Sequence, residues 1–431
     1  MFYLTIICAT LLNITAEVSW NGHAGIQDDR KGRGILIGFQ NSSTENGGID
    51  YYSNTLLKSL EVRSGGVVEM TPNDLDIKSI SPDGFIVIKE RDWLTYRSIT
   101  LTAAADGKIE KKYTIQGRDY EFDADAQAWL SLILQDVARE TGLGAQGRIK
   151  RILAEKGVQA AIREIRWVNS NYAKKIYFEA ILNHPDLNSQ EIEKAVETVA
   201  NEISSSSKLG DVLISTANKF QEDSVLTESL IRATKEISSS SKQSEVLIQI
   251  SELRKINDES AEAMTKVIRN ISSSSAQSVA LQSLAQKSSA NDKVVEAYVD
   301  AVKWISSSSE QGAALKALLR KKDMSSSAFI KILKSIEHIS SSSVQGDVLE
   351  EVAAVCPSDD QVLFAYLNAV SYISSSSQQG YAVMSMLSKQ NVSTTILTQT
   401  LNFANEEISS RAVRDKIADK VTERLTKNPG R

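Results

Sequence analysis

The chain has 431 residues, 42% hydrophobic and 24% charged, with a formal net charge of −5. This is the composition of a soluble folded protein, long enough for two or three domains or one repeat array, and too poor in Gly and Pro for a collagenous or mostly disordered chain. The weak acidic balance gives no reason to expect nucleic acid or an anionic membrane as partner.

The chain opens on an apolar run from Phe2 to Ile14. It is too short to span a bilayer as a helix but fits the core of a signal peptide, with Ile14-Thr15-Ala16 as a cleavage site. No basic residue precedes it, and a Thr- and Ile-rich first strand is the other reading of 1–16. No other stretch is long and apolar enough for a transmembrane span. Residues 17–121 read as a β-rich domain. The runs GILIGFQ, GGVVEM, GFIVIKE, SITLTA, KIEKKYTI and YEF are rich in β-formers. Pro82-Asp83-Gly84, Ala105-Asp106-Gly107 and Gln116-Gly117-Arg118 supply turns between them. Ile86 and Ile88 alternate with Val87 and Lys89, which predicts an antiparallel sheet with one wet face. NSSTENGGIDYYSN, residues 41–54, reads as a long polar loop.

The pattern changes at Phe122. DADAQAWLSLILQDVARETG carries apolar residues at helical spacing, and Gly142 reads as its stop. Two shorter helices follow with Gly157 between them, so 122–166 is expected to be a helical connector or cap.

Residues 167–431 are dominated by one repeat. The string ISSSS begins at Ile203, Ile237, Ile271, Ile305, Ile339 and Ile373, 34 residues apart each time; a shortened copy follows at Ile408 and a weaker one precedes at Val168. A fixed period of 34 is the signature of stacked helical hairpins. Seven and three residues before each Ile stand further large or apolar residues, such as Tyr298 and Val302 before Ile305. Offsets of seven, three and zero share one helix face, so each Ile closes a helix B and anchors it in the core. Helix A follows, with aligned apolar pairs such as Ala314-Leu315. One hairpin cannot bury its face alone, and its neighbours must cover it. A small column (Gly210, Ser244, Ser278, Gly312, Gly346, Gly380) predicts close approach of a neighbouring helix backbone. Gln243, Gln277, Gln311, Gln345 and Gln379 precede five of these; they read as a hydrogen-bonded ladder or, in preference, a solvated stripe.

One serine per repeat is explained as the N-cap of helix A, and a second completes the turn. The surplus serines, Ser206, Ser207, Ser240, Ser241, Ser274, Ser275, Ser308, Ser309, Ser342, Ser343, Ser376 and Ser377, fall on one edge of the array with one step per repeat, about 10 Å apart if neighbouring helices pack normally. They form a candidate interaction strip for a protein or a glycan, against the plainer reading of a tolerated polar turn. The phase and core letters resemble bacterial helical repeats of the form I-S-S-D-Y-E-K-G-x-V-L, HEAT- or TPR-like, found in envelope proteins and in extracytoplasmic regions of BlaR-type membrane metallopeptidases. Val168-Asn169-Ser170-Asn171-Tyr172-Ala173-Lys174 is the nearest local match, and the likeness covers residues from about 80 onward. It implies a periplasmic or extracellular site, with the cytoplasm as the other expectation. Six repeats carry Ser-Ser where the pattern has Asp-Tyr, so any role of that acid and aromatic is absent. The peptidase does not transfer, because the chain has no HExxH.

Other chemistry is thin. Cys8 and Cys356 are too distant for a disulfide framework or zinc ribbon and read as small buried hydrophobes. His23, His184 and His338 lie out of helical reach of one another. GLGAQG at Gly142 matches GxGxxG but follows a helix, so it reads as a helix end and turn rather than a dinucleotide fingerprint. Asp123 and Asp125 read as a helix start. The expectation is an α+β multidomain protein: an antiparallel β domain followed by a right-handed α-solenoid of about seven 34-residue hairpins. It is expected to need no cofactor or metal and to act as a non-enzymatic scaffold that binds protein. The alternative is a self-assembling subunit whose N-terminal segment makes subunit contacts as a homo-oligomer. A third reading is a regulatory or sensor domain whose enzyme is on another chain.

Overall fold

The structure, a computed structural model, describes residues 25–27, 36–38, 48–54, 57–221 and 224–427. The apolar run over 1–16, with both of its readings, lies outside them, as do Cys8 and His23. The chain divides into two compact units, Met1–His184 and Pro185–Arg431.

The first unit is built on a six-stranded antiparallel sheet in the order β10-β9-β8-β7-β4-β3. Its strands are β3 (Ile49–Asn54), β4 (Ser59–Gly65), β7 (Phe85–Arg91), β8 (Tyr96–Ala103), β9 (Ile109–Ile115) and β10 (Arg118–Tyr120). Two small hairpins accompany it, β1 (Gly25–Gln27) with β2 (Leu36–Gly38) and β5 (Val68–Met70) with β6 (Ile77–Ile80). The expected alternation holds. Ile86, Ile88, Ile99 and Leu101 are buried on one face. On the other, Lys89 Nζ donates to Glu61 at 3.0 Å and the Ser98 and Thr114 hydroxyls share a bond.

Three strand expectations are corrected. The polar stretch ending at Asn54 is not all loop, because β3 buries Tyr51 and its phenol donates to Glu140 at 2.6 Å. Ser59–Gly65 is a strand that β-propensity alone passes over, although Leu60, Val62 and Ser64 alternate inward. The last strand begins at Arg118, before YEF, because Gln116 and Gly117, both at positive φ, make a two-residue turn that pairs Arg118 with Ile115 at once.

Helix α1 (Ala124–Thr141) lies over the dry face and completes its core with Trp129, Leu130, Ile133, Leu134 and Val137. Its N-cap is Asp123, which accepts from the Ala126 amide. Gly142 ends it at φ 76, a left-handed position that favours glycine, and an added Cβ there would meet Ile176 at 2.8 Å. The GLGAQG stretch is thus a helix end and turn leading into α2 (Ala145–Lys156). Helices α3 (Val158–Glu164) and α4 (Asn171–Leu182) complete the unit. A buried network ties its loops together: Arg148 and Arg151 both donate to Asp74, and Arg148 also donates to Glu164 and the Tyr177 hydroxyl.

The second unit is the solenoid. Its B helices are α5 (Ser189–Glu202), α7 (Ser224–Ala233), α9 (Asp258–Ile268), α11 (Asp292–Val302), α13 (Ser326–Ser335), α15 (Asp360–Ser371) and α17 (Thr394–Glu407). Its A helices are α6 (Ser206–Lys219), α8 (Ser240–Leu253), α10 (Ser274–Lys287), α12 (Ser308–Leu319), α14 (Ser342–Val355), α16 (Ser376–Leu387) and α18 (Arg411–Lys427). Each B helix packs on the next B and each A on the next A, giving two layers and seven hairpins among the described residues. Every aligned apolar column is buried, including Tyr298 and Tyr366, whose phenols donate to the carbonyls of Ala314 and Ala382 at 2.9 Å. Burying one such side chain contributes about 1.5–3 kcal/mol before ordering costs.

Candidate binding edge

The edge where helix B turns into helix A is built from ISSSS. Ile203, Ile237, Ile271, Ile305, Ile339 and Ile373 all follow the end of a B helix and are buried, and Ile203, Ile237 and Ile339 have extended backbone. The second serine of each string stands at the N-cap with extended backbone, as capping requires. Its hydroxyl does less than expected. Ser205, Ser239 and Ser273 accept from the amide three residues on at 3.4–3.5 Å, and Ser307, Ser341 and Ser375 make no such bond. In five repeats this hydroxyl bonds the fourth serine, as Ser307 does with Ser309 at 2.9 Å; Ser239 and Ser273 make both bonds.

The third serine joins one repeat to the next. Ser206 bonds Ser238, Ser240 bonds Ser272, Ser274 bonds Ser306, Ser308 bonds Ser340, Ser342 bonds Ser374 and Ser376 bonds Ser409, all at 2.8–2.9 Å. These are rungs between first and third serines of successive turns, and they leave the third serine half-buried. The fourth serines, Ser207, Ser241, Ser275, Ser309, Ser343 and Ser377, are exposed, as are the first serines. The structure therefore divides the twelve predicted strip residues: six are rungs and six face solvent.

Two aromatics stand one residue before the repeat Ile, where no sequence column marks them: Trp304 is 60% exposed and Tyr372 38%. The Arg269 guanidinium lies 5.4 Å from the Trp304 ring centroid. On the B-helix side an open groove of about 700 Å³ includes Lys293, Glu296, Asp300, Lys331 and His338 in its lining. Glu296 and Lys331 pair at 2.7 Å across it.

Both readings of the glutamine column are corrected. Gln243, Gln277, Gln311, Gln345 and Gln379 are buried. The amides of the first four reach back to carbonyls at the end of the preceding B helix, as Gln345 does to Ile336 at 3.2 Å. They satisfy acceptors that a helix end leaves open. The small column is tight for a different reason from the one expected. A Cβ on Gly312 would meet the Val344 side chain at 2.5 Å, and one on Gly380 would meet Val413 at 2.5 Å. The backbone approaches only at the two serines, where Ser244 and Ser278 donate to the Ala276 and Glu310 carbonyls of the next helix A.

One set of polar residues escaped the sequence reading. Arg254, Lys321, Lys389 and Arg424 each donate to backbone carbonyls at the C-terminal end of the preceding helix A; Lys389 reaches Ala353 and Cys356, both at 2.7 Å. Their signal is a cation 16 or 17 residues after the Ile, which every repeat but that of Ile339 carries; Lys219 and Lys287 share the position, so the letter alone does not single out the four. Burial pushes the Cys356 thiol up from its usual range.

No family model, curated protein or solved structure matches the chain.

Proposed function

We propose that the protein is a non-catalytic scaffold whose solenoid binds a protein segment along the serine edge. One observation carries the reading: hydroxyl rungs tie each turn to the next, and an exposed serine recurs once per repeat along that edge. An extended segment meets such an edge without ordering it, which lowers the cost of binding. Trp304 and Tyr372 add the amphipathic aromatic surface that protein interfaces favour. The remaining polar positions of the repeat (glutamines, buried tyrosines, helix-end cations) act on the protein's own carbonyls, which suits a framework. The resemblance to extracytoplasmic repeat proteins supports a place in the bacterial envelope.

The test replaces Ser275, Ser309, Ser343 and Ser377 with Asp, leaving every rung intact. The variant is expected to keep its helical circular dichroism and to lose a partner that cross-links to wild type and binds it again when purified. Equal binding of that partner to both forms defeats the proposal. Light scattering addresses the alternative: large species of the wild type that dissolve when 1–16 are removed would favour self-assembly.

A further inference from the structure

The first unit carries an apolar feature that its own core does not use. The β7–β8 hairpin turns through Asp92-Trp93-Leu94-Thr95, and Trp93 and Leu94 are 77% and 87% exposed, the highest values among the large hydrophobic side chains described. The turn is rigid. Asp92 accepts from the Leu94 and Thr95 amides at 2.9 and 2.7 Å, its own amide donates to Thr95, and Gln116 donates to the Leu94 carbonyl. Those backbone bonds hold the Asp92 carboxyl below its usual range.

Sheet register collects more of the same kind here. Ser59 pairs with Arg91, Arg91 with Tyr96 and Arg97 with Ile115, so the turns after β3, β7 and β9 share one end of the sheet. Leu57, 62% exposed, precedes β4 at that end. Arg91 and Arg118 are exposed beside it, and the Glu90 carboxylate is engaged by Lys58 and Trp129.

We propose that this end of the sheet is a membrane-interface anchor, inserting Trp93 and Leu94 at the level of lipid headgroups while Arg91 and Arg118 meet phosphates. Two features favour a bilayer over a protein pocket. The apolar residues project from the tip of a hairpin turn and are more than three-quarters exposed, which a deformable surface accepts. A Trp beside a Leu, flanked by arginines, matches the composition of membrane–water interfaces. The net charge of −5 argues against adsorption of the whole chain by charge and is silent about a local tip. Nothing here depends on the serine edge.

The full chain is to be floated with vesicles of phosphatidylcholine alone and of phosphatidylcholine with phosphatidylglycerol, some brominated along the acyl chain. Wild type is expected to float, with tryptophan fluorescence quenched by the brominated lipid. Trp93→Ser with Leu94→Ser is expected to lower partitioning about tenfold or more and to abolish the quenching. Arg91→Gln with Arg118→Gln is expected to remove only the preference for phosphatidylglycerol. The proposal is overturned if wild type floats with neither vesicle, if the tip variant is quenched as wild type is, or if the tip proves instead to be needed for a protein partner in the absence of lipid.

Discussion

At the scale of single residues, the polar positions of the repeat make sense only through their partners. Tyr51, Tyr177, Tyr298 and Tyr366 are buried, and burial is the first cause that pushes each phenol above the ordinary tyrosine range. A raised folded-state value means the native state holds its proton longer than the unfolded chain does. Their contribution to stability is therefore complete below about pH 10, the unfolded value, and declines as pH rises beyond it. In an alkaline titration these four should ionise together with loss of helical signal; full phenolate absorbance over an intact helical spectrum would contradict this. The glycines give a second prediction with opposite signs. Gly→Ala inside a helix ordinarily gains about 1 kcal/mol. At Gly346 the obstacle is the mobile end of Gln378, which swings away, so Gly346→Ala should stabilise by up to about 1 kcal/mol. At Gly312 the obstacle is the β-branched Val344, and Gly312→Ala should cost on the order of 1–3 kcal/mol. Denaturation midpoints that move in the same direction would refute the assignment.

At the scale of elements, helix ends decide the detail. Four B helices give up carbonyls at their ends to a glutamine from the following A helix, and several A helices give theirs to a cation from the next repeat. A positive charge is favourable at a helix C-terminus, by up to about 2 kcal/mol when partly buried. Lys389→Met should cost on the order of 1–2 kcal/mol, because the charged donor is lost to two carbonyls at once. The damage should be local, as faster amide exchange in the last turn of α14, and unchanged exchange there would remove the latch from the account. Strands were harder to read than helices. β3 hides in a polar stretch, and only the helix above it explains why Tyr51 points inward.

At the scale of the whole molecule, the repeat makes the solenoid modular. Among the described residues each hairpin packs chiefly on its neighbours, so stability is approximately a sum of repeat and interface contributions. Removing 271–304 brings Ile305 into the phase of Ile271 and restores every column contact. That protein should fold with the same ellipticity per residue and a lower unfolding midpoint, whereas a deletion of half that length should not fold; two equally folded products would break the repeat account. The sequence by itself determined the period, the B-to-A order, the buried Ile column, the change at Phe122 and the alternation of Ile86 and Ile88. It could do so because these are periodicities of burial, and burial is written in residue type. What only the tertiary structure decided was where polar side chains go. Gln345, Ser308 and Lys389 are polar letters compatible with solvent, with a hydroxyl rung or with a buried carbonyl. Their partners lie 9, 32 and 33–36 residues away. A hydrogen bond is fixed by distance and direction between groups that only stacking brings together, so the serine edge was legible as one polar step per repeat and illegible as hydrogen-bonded rungs between first and third serines.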